Sequence, residues 1–142
     1  MDANIKRTIM LDNYESPYNK GLLNKDGYVK KNVNNESCID NIDLEIKMDK
    51  YIIKDIRFDG EACAISTSAT SIMIKNLIGK TIDEALNIIN NYESMIDEKE
   101  YDKSILGEAI VYDEVYKQPS RKKCALLPYR GIKEYLLSIK NK

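Results

Sequence analysis

The chain has 142 residues and a mass of 16.3 kDa, enough to bury one hydrophobic core and too few for two independent ones, so a single domain over 1–142 is expected. With 22 basic against 23 acidic residues and a pI near 5.6 it carries no bulk charge to attract nucleic acid or anionic lipid. No stretch approaches the roughly 20 apolar residues that span a bilayer, and Met1-Asp2-Ala3-Asn4-Ile5-Lys6 holds no apolar block of an export signal; the expected address is the cytoplasm, with neither membrane nor nucleic acid as partner.

The predicted elements follow in chain order. Ile5, Ile9 and Met10, flanked by Lys6 and Arg7, fit a short amphipathic helix from Ala3 to Asn13 that ends before Pro17. The Asn-, Lys- and Gly-rich stretch from Asn19 to Glu36 reads as loop with one short strand near Tyr28 and Val29. Ile42, Leu44, Ile46 and Met48 then alternate with Asn41, Asp43, Glu45 and Lys47, the period of a half-buried strand. A turn at Asp49-Lys50 leads to a second strand, with Ile52, Ile56 and Phe58 on one face and Ile53, Asp55 and Arg57 on the other. The short connection predicts an antiparallel hairpin.

After Cys63 the side chains become small. Ile65, Ala69, Ile72 and Met73 share a helical face, and Gly79 is placed to close the helix. Thr81-Ile82-Asp83-Glu84 is a capping box for a further helix, whose buried stripe is Ile82, Ala85, Leu86, Ile89 and Ile96. A polar link follows, then a helix over Leu106 to Tyr116, and a last helix from Pro119 towards Ile139 that Pro128 should kink or divide. The pattern gives an α+β fold: a small antiparallel sheet of about three strands with helices on one face.

The chain contains no histidine, so Ser-His and Cys-His triads are excluded. Its cysteines are three, Cys38, Cys63 and Cys124, an odd number that argues against a disulfide framework. Cys38 precedes one hairpin strand and Cys63 follows the return strand, which places both near the same end of an antiparallel pair. Cys63 also opens a helix, where the dipole and free amides favour negative charge. Three thiolates with the carboxylate of Asp40 would form a tetrahedral set suited to zinc. The chain separations from 38 to 63 to 124 match no compact zinc-finger spacing, and taken singly each cysteine is more often a small buried hydrophobe than a ligand.

The segment from Arg57 to Met73, Arg57-Phe58-Asp59-Gly60-Glu61-Ala62-Cys63-Ala64-Ile65-Ser66-Thr67-Ser68-Ala69-Thr70-Ser71-Ile72-Met73, resembles the central motif of the IscU/SufU, or NifU-like, proteins of iron–sulfur cluster biogenesis. Ile9 to Pro17 with Asn19-Lys20-Gly21 resembles that family's N-terminal helix and Asn-Lys-Gly turn. Cys38-Ile39-Asp40 stands where the family has Cys-Gly-Asp, and Arg121-Lys122-Lys123-Cys124-Ala125-Leu126 resembles its third-cysteine motif. IscU has His directly before the third cysteine and a shorter interval from the second; Lys123 and the long interval here are similar to SufU.

The resemblance implies Cys38, Asp40, Cys63 and Cys124 as zinc ligands, and Arg121 as a contact to the site or to a partner. It implies a sulfur acceptor working with a SufS-type cysteine desulfurase, the pyridoxal phosphate residing on that partner, and a downstream acceptor of sulfur or cluster. Cys38, on the most loop-like segment, is the expected catalytic acceptor, freed when a partner group replaces it on the metal. Two other functions use the same residues: a scaffold holding a labile [2Fe–2S] cluster, and a zinc-stabilised interaction module. Ile39 and Ala62 stand for family glycines, Asn13 for a His, Tyr18 for an Arg, Tyr129 for a Trp, and Pro128 for an ordinary helical residue.

Overall fold

The computed structural model describes residues 1–36 and 39–141. Helix α1 (Ala3–Glu15) leads to strands β1 (Tyr28–Asn34), β2 (Asn41–Asp49) and β3 (Ile52–Glu61), then to helices α2 (Ala64–Leu77), α3 (Ile82–Ile96) and α4 (Pro119–Lys140). The sheet is antiparallel in the order β1-β2-β3, with Asn34 opposite Asn41 and Asn41 opposite Glu61, so the β1–β2 connection and the end of β3 lie side by side. This is the α+β architecture predicted, with a third strand longer than the sequence suggested.

The alternation in β2 does what its period demands: Ile42, Leu44 and Ile46 are buried on the face that receives Val33, Ile56 and Phe58. The expected parity of β3 fails at one point. Ile53 is buried and Ile52 exposed, because the register shifts between Lys47 and Met48 and leaves Lys54 as the extra residue of a bulge, which reverses the faces beyond it.

The polar face is covered by chain rather than helix. Gly21 N–H donates to the Phe58 carbonyl and Phe58 N–H to the Asn19 carbonyl, clipping 19–21 along the edge of β3. The chain then crosses to Glu45, whose carboxylate accepts the N–H groups of Leu23 and Asn24 at 2.7 and 2.9 Å and is thereby buried with no ion pair among the described residues.

Helix α3 starts on the predicted capping box, Thr81 and Glu84 bonding reciprocally. Residues 106–116 form no α-helix. The stretch from Lys103 to Lys117 folds instead into 3₁₀ turns at Lys103–Ile105, Gly107–Tyr112 and Val115–Lys117. Gly107 sits at φ 53°, a left-handed residue through which an α-helix cannot begin, and Asn76 Nδ2 occupies the Ile105 and Leu106 carbonyls. The tight turns still bury Leu106, Ala109, Val111 and Tyr112.

Helix α4 runs undivided through Pro128. Proline cannot donate to the carbonyl four residues back, that of Cys124, so that acceptor needs another neighbour. The Oγ of Ser66 lies 3.2 Å from it, and the next carbonyl, Ala125, accepts from Tyr92 Oη at 2.9 Å. Tyr92 stacks on Tyr129 with ring centres 3.7 Å apart, so α3 and α4 are joined through this one aromatic pair as well as by apolar packing.

Helix α4 meets β1 at Gly131, where an added Cβ would overlap Val33 Cγ1. Gly131→Ala is therefore expected to destabilise the protein by about 1–3 kcal/mol through overpacking, despite alanine's better helix propensity. Urea unfolding would show a lowered midpoint with an unchanged slope.

Candidate metal centre

Three of the four ligand candidates fall within the described residues, and they converge. One oxygen of Asp40 and the sulfurs of Cys63 and Cys124 lie within 4.8 Å of one another, although the chain separates them. Asp40 comes from the β1–β2 connection, Cys63 from the junction of β3 and α2, and Cys124 from the second turn of α4. Cys38 lies outside the described residues. The feet of its connection are joined by the Asn35 N–H donating to the Asp40 carbonyl at 3.0 Å.

Cys63 is the N-cap of α2. Its Sγ accepts the Ser66 N–H at 3.4 Å, satisfying one of the unpaired amides of the first turn. Its own N–H donates to Asp40 Oδ1 at 2.8 Å, which fixes the carboxylate over the helix start. Asp40 Oδ2 accepts the Ser66 hydroxyl at 2.5 Å and stands 3.9 Å from Cys63 Sγ. Asp40 is 2 % exposed and Cys124 also 2 %, whereas Cys63 is only part-buried. The site is dry at its base and open towards Cys63.

Burial is the largest single influence on the Asp40 carboxyl and pushes it up. The bonds from Ser66, the Cys63 N–H and the two thiols outweigh it and hold the group below its ordinary 3.8. The Cys124 thiol is pushed far up, first by burial and then by Asp40 and Cys63 beside it. Three groups that ligate as anions are thus pressed together, and a cation among them would remove the repulsion that keeps Cys124 protonated. The donor set suits zinc. Ligand lengths of roughly 2.3 Å for sulfur and 2.0–2.2 Å for oxygen require donors about 3.5–3.8 Å apart in a tetrahedron, a modest tightening of what is present.

Arg121 is exposed, and its side chain makes no hydrogen bond or ion pair among the described residues. It stands at the rim of a cleft of about 390 Å³ lined also by Met10, Ala64, Ile65, Tyr112 and Val115, three residues before Cys124 in the chain but not in the cluster of candidate ligands. Lys122 pairs with Asp97 at 3.2 Å and points away. The residue that sequence reasoning missed is Ser66. Its run of hydroxyls looked like close packing, and the available signal was its position three residues after Cys63, on the same turn of a helix.

The chain matches the NifU-like N terminal domain over residues 5–125 and belongs to that family, the SufU/IscU group of iron–sulfur cluster assembly proteins. It is 39% identical over 129 residues to the zinc-dependent sulfurtransferase SufU of Bacillus subtilis, covering 90% of this chain and 86% of that protein. It is 36% identical over 127 residues to the iron–sulfur cluster assembly scaffold protein IscU of Streptococcus pyogenes, covering 89% and 79%. A crystal structure from Fervidobacterium islandicum AW-1, of a protein assigned as a SUF-system assembly scaffold, superposes with a TM-score of 0.81 at 35% identity over 90% of this chain and 93% of the other. Among the described residues no helix is long and apolar enough to cross a membrane.

The lowered Asp40 carboxyl gives a signed expectation for the metal-free protein. A depressed folded value adds stability that is complete above the ordinary 3.8 and is lost as the pH falls through the lowered one. The difference in urea-unfolding free energy between wild type and Asp40→Asn should therefore hold steady near neutrality and shrink below pH 3.8.

Proposed function

We propose that the chain is a cytoplasmic, zinc-dependent sulfur acceptor that takes persulfide sulfur from a SufS-type cysteine desulfurase and hands it to a downstream acceptor. The observation that carries this reading is the convergence of Asp40, Cys63 and Cys124 within 4.8 Å. The ligand set is completed by Cys38, two residues before Asp40 in the chain. Bound zinc would hold the thiolates ionised and protect them from chance oxidation.

The roles divide by burial. Cys124, 2 % exposed and set in a helix, cannot meet a partner's persulfide and serves as a fixed ligand. Cys63 and Asp40 are tied together by the Cys63 N–H, so neither moves without the other. Cys38 is the acceptor: its thiolate attacks the terminal sulfur of the desulfurase persulfide, a new S–S bond forms to Cys38, and the old S–S bond breaks to release the desulfurase cysteine as thiolate. The sulfane sulfur changes carrier with no net oxidation. Arg121, exposed beside the site, is a contact for the partner.

Cys38→Ala should abolish the stimulation of cysteine turnover by a SufS-type desulfurase, and unchanged stimulation would remove the acceptor assignment. A second reading, a [2Fe–2S] scaffold on the same ligands, is favoured by the similarity to IscU of Streptococcus pyogenes. Anaerobic reconstitution with Fe(II) and sulfide separates the two: retained zinc and no visible absorption supports transfer, a stable coloured cluster supports the scaffold.

A further inference from the structure

We propose that Ser66 is a positioning residue that fixes Asp40 as a ligand, and that metal affinity depends on its hydroxyl; this rests on the metal-binding reading above. Both carboxylate oxygens of Asp40 are held by the start of α2. Oδ1 accepts the Cys63 N–H at 2.8 Å and Oδ2 accepts the Ser66 hydroxyl at 2.5 Å. A hydroxyl has one proton, and the Cys124 carbonyl at 3.2 Å is much the more distant of its two acceptors, so the proton lies mainly towards the carboxylate. Ser66 is fully buried, so no water competes for that bond.

The same residue touches two of the described donors and the backbone of the residue that carries the third. Its N–H donates to Cys63 Sγ at 3.4 Å, its Oγ lies 3.6 Å from that sulfur, and its contact with the Cys124 carbonyl braces the turn of α4 that carries the other sulfur. Removing the hydroxyl leaves Asp40 with the Cys63 N–H on Oδ1 and, once the thiols give up their protons to bind metal, no donor on Oδ2, so the carboxylate can turn about that one bond and misplace the oxygen offered to the metal. Outer hydrogen-bond partners of ligands are worth roughly 10- to 100-fold in metal affinity.

The test compares zinc affinity, by chelator competition, and the visible spectrum of the Co(II)-loaded full chain in wild type, Ser66→Ala, Ser68→Ala and Asp40→Ala. Ser68 is a buried hydroxyl of the same helix that bonds to Tyr112 and not to the site. Ser66→Ala should bind zinc at least about 10-fold more weakly and shift the Co(II) bands, while Ser68→Ala lowers thermal stability with affinity and spectrum unchanged. In the Asp40→Ala background the further loss from Ser66→Ala should vanish, because the hydroxyl acts through that carboxylate. Wild-type affinity and spectrum in Ser66→Ala, an equal loss in Ser68→Ala, or full additivity with Asp40→Ala would each overturn the proposal. A wild-type chain that binds zinc no better than its Cys63→Ala/Cys124→Ala variant would overturn the metal-binding reading itself.

Discussion

Helix α2 buries five consecutive-turn hydroxyls, Ser66, Thr67, Ser68, Thr70 and Ser71, and each must find an acceptor or cost roughly 1–3 kcal/mol. Thr70 and Thr67 bond to carbonyls of their own helix region, the local solution available to any helical hydroxyl. The other three also reach outward: Ser71 to Asn13 of α1, Ser68, which donates to the Ala64 carbonyl of its own helix, to the Tyr112 hydroxyl of the 3₁₀ segment, and Ser66 to Asp40 of the β1–β2 connection. Every element around the site is therefore located by a bond to α2. A helix of ordinary aliphatic residues would pack as well and locate nothing so narrowly, since apolar contact has no direction.

The elements that were legible in the sequence are those in which a local rule settles the matter. The β2 alternation, the Thr81–Glu84 capping box and the Cys63 position at a helix start each follow from residues within one or two turns of each other. What was not legible depends on contacts between distant segments. The bulge that exchanges Ile52 for Ile53 is set by pairing with β2, and the 3₁₀ turns are set by Gly107 together with Asn76 from another helix. Pro128 looked like a break because its cost is local, while its compensation comes from Tyr92 on another helix, which bonds the Ala125 carbonyl and stacks on Tyr129. For the site, family resemblance supplied the candidate ligands, and the part it left out, Ser66, is visible only in three dimensions.

The departures from the family pattern are accommodated by plain physical means. Ile39, between two ligand positions where the family has glycine, is 67 % exposed, so its bulk is turned to solvent and does not crowd the donors. Asn13, in place of a histidine, is buried with both ends of its amide in use, donating to the Ile9 carbonyl and accepting from Ser71. Tyr129, in place of a tryptophan, keeps a flat ring against Tyr92. Its hydroxyl has no partner among the described residues, the cost of fitting a polar tip into a slot shaped by aromatic stacking.

Helix α4 has no side-chain cap at Gln118, and its opening turn carries Arg121, Lys122 and Lys123 at the positive end of the dipole, where cations are unfavourable. Ends of this kind fray. The proline nine residues in cancels one axial bond at the turn bearing Cys124, and that turn is moored sideways instead, through the Ala125 carbonyl to Tyr92. The Cys124 sulfur itself reaches back to the Ser120 carbonyl at 3.6 Å, so any loosening of the basic tip bears directly on that sulfur's surroundings.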